Sequence, residues 1–146
     1  MASTSQLNTL ISLAEKKTDD AAKMLGVAIR AGEEAEQKLA LLQQYRDDYA
    51  ARLESTRSVG LSIMSHQNYQ VFLGKLDSAI IGQEVTVEHE KRRIAESRSA
   101  WQENARKKMS FGALSQRAQK EAQRLEDKRD QKLMDEHAAR LKAYKR

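Results

Sequence analysis

Three histidines, His66, His89 and His137, are the side chains best suited to proton transfer near neutral pH, and they are scattered along 146 residues. Glu88 and His89 are adjacent in sequence, and adjacent positions on a helix point their side chains apart. The acidic pairs Asp19–Asp20 and Asp47–Asp48 read as solvated helix faces rather than an acid–base pair. The six glycines are dispersed, so no glycine-rich loop is available to cradle a phosphate. Cysteine is absent, which excludes disulfides and thiolate metal sites, and no other metal-ligand spacing is present. The chain reads as a non-catalytic protein with no cofactor and no small-molecule substrate.

The chemistry that remains is recognition through apolar contact. Leu42, Tyr45 and Tyr49 form a stripe at 3-4 spacing, and Phe72, Leu76, Ala79 and Gln83 form another. Leu39, Leu53, Leu73 and Ile80 already suffice for one helix–helix seam at this height. A two-stranded coil has one inward face, so part of the composite stripe is left outside, and Tyr45 and Phe72 are the strongest candidates. For Leu42, Tyr49 and Leu76 a place in the seam is an equal alternative. An exposed aromatic-aliphatic patch marks a protein-binding site.

The elements that position this patch are long helices. Every seventh residue from Leu7 to Tyr49 is apolar: Leu7, Ala14, Ala21, Ala28, Ala35, Leu42 and Tyr49. Ile11, Thr18, Leu25, Gly32, Leu39, Arg46 and Leu53 make the companion row, which completes a coiled-coil seam. There is no proline to stop a helix. Ser3, Thr4 or Ser5 can cap the first turn. Residues 55–68 break the pattern with clustered serines and Gly60, which predicts a turn. A second row, Leu73, Ile80, Val87, Ile94 and Trp101, opens the second helix; beyond it the register drifts through Ala105, Met109 and Gly112, where a kink is possible.

The expected fold is all-α: one antiparallel two-helix coiled-coil hairpin, an elongated rod. The first helix covers about residues 4–57, the turn about 58–66 and the second helix about 67–144. Tyr49 should lie opposite roughly Lys75. Residues after about 118 outrun the first helix and form a basic, amphipathic overhang with Leu125, Leu133 and Leu141 among dense charge.

Composition agrees with helices rather than a thick core: 40% of residues are hydrophobic, 32% charged and 5% aromatic. The net charge of +5 is unevenly spread. Residues 1–90 hold 9 Lys+Arg against 13 Asp+Glu, a net of −4, and residues 91–146 hold 17 against 8, a net of +9. The basic end suits an acidic surface. No apolar run reaches the roughly 20 residues needed to span a bilayer, and the start MASTSQLNTL lacks the pattern of a secretory signal. A cytoplasmic protein is the expectation.

Several segments taken together resemble the FliJ family of the bacterial flagellar type III export apparatus. They are Asp19-Asp20-Ala21-Ala22 with Leu25-Gly26, then Tyr45 and Tyr49, then Asn68-Tyr69-Gln70-x-Phe72 with Leu76 and Ala79-Ile80, then Trp101, and finally Asp130-Gln131-Lys132-x-Met134-Asp135-Glu136. The resemblance covers nearly the whole chain. It implies an antiparallel coiled coil similar to the central stalk of rotary ATPases. Its implied partners are the hexameric flagellar export ATPase FliI, the export gate protein FlhA and export chaperones. The implied place is peripheral, at the cytoplasmic face of the inner membrane. By that similarity the gate-binding surface is Leu42, Tyr45, Tyr49, Phe72, Leu76 and Ala79, which is the excess patch found above. Lys38 and Gln83 sit at its edges and depart from the family pattern. The ring-binding part would be the N-terminal turns and the overhang, with Arg124, Lys128, Arg129, Lys132, Leu133 and Arg140.

Two other readings stay open at this level. One is a helical nucleic-acid-binding protein using the basic half, although acids interrupt residues 117–136 and only Trp101, Phe111 and Tyr144 there could stack on bases. The other is a structural coiled coil or a stalk protein of a related injectisome.

Overall fold

A computed structural model describes residues 4–145. It contains two helices, α1 (Thr4–Val59, 56 residues) and α2 (Ile63–Tyr144, 82 residues), and no strand among the described residues. The two helices pack against each other as a helical hairpin. Ser3, one of the candidate caps, lies outside the described residues.

The connection is Gly60, Leu61 and Ser62, tighter than the nine-residue turn expected over 58–66. Local hydrogen bonding explains the difference. Gly60 has φ +113°, which a residue with a Cβ rarely adopts, and its N–H still donates to the Thr56 carbonyl at 3.1 Å. Helix α1 therefore continues through Val59. Ser62 then caps α2: the Ser65 N–H donates to Ser62 Oγ at 3.2 Å, and Ser62 Oγ donates to Ser65 Oγ at 2.9 Å. The serines that read as loop from composition serve as helix ends.

Contacts divide the chain into two units, Asp20–Trp101 and Met1–Asp19 with Gln102–Arg146. In the first, α1 and α2 run antiparallel: Ala35 meets Gln83, and Tyr49 meets Phe72 and Tyr69. Tyr49 thus pairs a few residues nearer the turn than the expected Lys75, in line with a connection centred on residue 61 rather than 62. Ala28, Gly32, Ala35 and Leu53 are buried on α1, against Leu76, Ile80, Gln83 and Val87 on α2. The α1 contribution is mostly alanine and glycine, so the backbones come close. At Gly32 an added Cβ would stand 2.7 Å from Ile94 Cδ1. The helix penalty of about 1 kcal/mol for glycine is therefore matched by close packing at Gly32. At Gly26, where nothing lies within 4 Å, it is not.

In the second unit Leu7, Ala14 and Thr18 are buried, and Ile11 is half-buried. Thr18 Oγ1 donates to the Ala14 carbonyl at 2.7 Å, which satisfies the hydroxyl inside the seam. On α2 the half-buried row is Asn104, Phe111 and Ala118, still at spacing seven. Of the three residues through which the register is expected to drift, Ala105 and Gly112 are half-buried beside this row and only Met109 is exposed; a polar Asn104 hid the row from an apolar reading. The helix passes Gly112 without a break.

Candidate protein-binding surfaces

The six residues of the aromatic-aliphatic patch divide by burial. Tyr45 is 52% exposed and Phe72 42% exposed, whereas Leu76 is only 8% exposed. Leu42 and Tyr49 are half-buried, and Ala79 is exposed. Leu76 is thus a seam residue rather than part of the outer stripe, since its position falls in the inward row of α2. The fold brings Tyr45, Tyr49, Phe72 and Leu76 into one groove, with Asp48 and Arg52 on its rim and a volume of about 360 Å³. Leu42 and Ala79 do not line that groove.

Tyr49 organises the patch. Its ring centroid lies 4.4 Å from that of Phe72 and 5.0 Å from that of Tyr69, tilted by 46° and 44°. Tilted pairs at this range are favourable beyond area burial, by about 0.5–1.5 kcal/mol each. The cluster bridges α1 and α2 and holds Phe72 in place while leaving part of its ring open. Beside it, Arg46 Nε donates to Asp77 Oδ1 across the helices. That bond and the Asp77 charge raise the Arg46 pKa above its usual value. Arg46 occupies a seam position, so its alkyl stem packs inward while its charge reaches the partner helix.

Gln83, at the patch edge, is buried and donates from Nε2 to the Ala35 carbonyl at 2.9 Å. Lys38 is exposed. Spacing missed two features here. Tyr69 stacks on Tyr49, and Asp48 with Arg52 frame the groove; the turn position that aligns them could not be fixed from the pattern.

The second surface begins where α2 loses its partner. Glu121 is the last half-buried residue, and every described residue from 122 to 145 is exposed. Arg124, Lys128, Arg129, Lys132, Leu133 and Arg140 all lie in this stretch. At about 100° per residue, Arg129, Leu133 and Arg140 share one face, with Arg124, Lys128 and Lys132 on the neighbouring one. Leu125, Leu133 and Leu141 are spaced by eight residues, so they wind around the helix by roughly 80° a step and make no single apolar stripe. The expected amphipathic overhang is instead a charged helix with scattered apolar side chains.

Local pairs support that helix without a partner. Gln123 Nε2 donates to Asp127 Oδ1 at 2.9 Å, and Gln131 Nε2 to Asp135 Oδ1 at 3.1 Å. Arg124 grips Glu121 through two bonds of 2.7 and 3.2 Å. The hydrogen bonds and charge of Arg124 hold the Glu121 carboxyl below the usual carboxylate range. No helix of the described residues is long and apolar enough to cross a membrane. No group of three His, Asp or Glu side chains among them could hold a metal ion.

A hairpin with an aromatic groove on one stretch and a bare, charged helix end on another has close sequence relatives. A family model described as the flagellar FliJ protein matches residues 3–146. The flagellar FliJ protein of Escherichia coli K12 is 33% identical over 140 residues, covering 96% of this chain and 95% of that protein. The flagellar FliJ protein of Salmonella typhi is 32% identical with the same coverage. With the family model matching almost from end to end, the chain belongs to the flagellar FliJ family.

Proposed function

We propose that this chain is a non-catalytic component of the flagellar type III export apparatus, acting as a stalk-like adaptor. Its basic helix end binds the hexameric export ATPase and promotes ring assembly and hydrolysis. Its aromatic groove binds the export gate protein. Export chaperones are further partners, and the site of action is the cytoplasmic face of the inner membrane at the flagellar base.

The observation that carries this reading is the run of exposed residues from 122 to 145. A single helix of this length is marginal in water and gains most of its stability from a surface that covers it. Basic side chains on two adjacent faces suit an opening lined with carboxylates, as in a stalk seated in a ring. The aromatic groove supplies the second contact: exposed Tyr and Phe held by a rigid cluster are the residue types that dominate protein interfaces.

The test is ATP hydrolysis by the isolated export ATPase with this chain added, either whole or truncated after residue 118. The whole chain should stimulate, and the truncated one should not. Equal stimulation by both would sink the proposal.

A further inference from the structure

A second groove lies between Leu10, Leu13 and Lys17 of α1 and Asn104, Lys107 and Phe111 of α2, with a volume of about 260 Å³. It belongs wholly to the unit formed by residues 4–19 and 102–145. Its residues are shared neither with the Tyr45–Phe72 groove nor with the stretch beyond Glu121. Leu10 and Leu13 stand beside the seam positions Leu7, Ile11 and Ala14 rather than in them, and both remain substantially exposed. Leu114, three residues beyond Phe111, extends the apolar strip and is exposed as well. No acid lines the groove, and among the described residues neither Lys17 nor Lys107 is in an ion pair.

We infer that this groove is a docking site for a third helix, an acidic amphipathic segment of a partner protein. Two packed helices leave a furrow along their side, and a third helix that fills it completes a three-helix bundle. The floor here is aliphatic and aromatic, so the incoming helix presents an apolar stripe at 3-4 spacing. The charged side chains lining the groove are two ammonium groups, Lys17 on α1 and Lys107 on α2. Carboxylates on both sides of the incoming stripe meet them, whereas a basic helix would meet two uncompensated like charges. Lysine suits this role because its long stem lies along the apolar wall while the ammonium stays in water. The contact goes beyond the adaptor role proposed above and adds a third surface to it.

The experiment uses the full chain and a fluorescent 21-residue peptide with leucine at a and d positions and glutamate at e and g. A matched peptide with lysine replacing glutamate is the control. Fluorescence anisotropy should show binding of the acidic peptide only. Because the overhang is also basic, the protein variants decide the site. The pair Lys17→Glu and Lys107→Glu should weaken binding by about tenfold or more, as reversal of two charge contacts implies. The neutral pair Lys17→Gln and Lys107→Gln should weaken it less. The pair Lys23→Glu and Lys75→Glu, outside both the groove and the overhang, should leave it within about twofold. All four lysines are exposed, so helicity by circular dichroism should match the parent. Carbodiimide coupling of peptide carboxylates to protein amines should map to Lys17 and Lys107. No binding of the acidic peptide, equal binding by the groove variants, or coupling confined to overhang lysines would each overturn the inference. So would a concentration-dependent dimer without peptide that the groove variants dissolve, because the occupant would then be a second copy of this chain.

Discussion

Gln83 Nε2 donates a 2.9 Å hydrogen bond to the carbonyl oxygen of Ala35, across the seam between two buried residues. Ala35 precedes Leu39 by one helical turn, so its carbonyl also stands at a regular intrahelical acceptor position. The amide of Gln83 therefore fixes one relative height of α1 and α2 without removing a backbone bond. A single polar group at a seam position commonly specifies register at a cost in stability.

The substitution Gln83→Leu should keep stability within about 1 kcal/mol of the parent, because the amide's net contribution is of that size. Gln83→Ala should lose roughly 1–2 kcal/mol, since it removes both the bond and side-chain packing. Urea denaturation followed at 222 nm measures both. A loss well above 2 kcal/mol for Gln83→Leu would show the bond to be a main support of the fold.

The two glycines on α1 should separate. Gly26→Ala should stabilise by roughly 0.5–1 kcal/mol, because nothing lies within 4 Å of the new methyl group. Gly32→Ala gains the same propensity but pushes on Ile94 Cδ1 at 2.7 Å, so its net effect should be smaller or adverse. Adding Ile94→Val should restore the gain. Equal stabilisation by the two alanines would contradict the close packing at Gly32.

Burial should likewise separate the patch residues. Leu76→Ala should cost about 2–3 kcal/mol in stability, as a buried seam residue. Tyr45→Ala should change stability by less than about 0.5 kcal/mol and act on partner binding instead. Thermal melts and binding to the gate protein, measured on the same samples, distinguish the two. A collapsed melt for Tyr45→Ala would place it in the seam.

Acid should loosen the start of the overhang. The folded-state pKa of Glu121 is depressed by Arg124. Its contribution is therefore present above the ordinary carboxylate range and lost as pH falls through the depressed value. Amide hydrogen exchange around residues 121–127 should speed up on acidification relative to the intrinsic rate. In Glu121→Gln the exchange should be faster at neutral pH and less responsive to acid. A Glu121→Gln chain that responds to pH like its parent would remove this pair from the account.

Much of the seam was legible from spacing. All fourteen positions of the two α1 rows, from Leu7 to Leu53, are buried or half-buried, polar Thr18 and Arg46 included. Period is a property of the backbone, so it survives an occasional polar residue. The turn was less legible, because serine serves both as loop and as helix cap, and only the hydrogen bonds of Ser62 decide between them. The row through Asn104 was hidden for the converse reason: its polar member is indistinguishable from a solvated one until Phe111 and Ala118 are placed. Of the patch, Tyr45 and Phe72 were identified as outward-facing and are exposed, whereas Leu76 turned inward. The groove between Leu13 and Phe111 was invisible, since it needs the pairing of two distant segments.

The adaptor account rests on two separable surfaces, so the decisive measurement is a crossed one. ATP hydrolysis by the export ATPase and binding to the gate protein should be measured for two full-length variants. One carries Arg129→Glu, Lys132→Glu and Arg140→Glu; the other carries Tyr45→Ala and Phe72→Ala. The account predicts that the first loses stimulation and keeps gate binding, while the second keeps stimulation and loses gate binding by tenfold or more, as hot-spot truncation of about 2 kcal/mol implies. Loss of the same activity in both variants, or of neither activity in either, would contradict it.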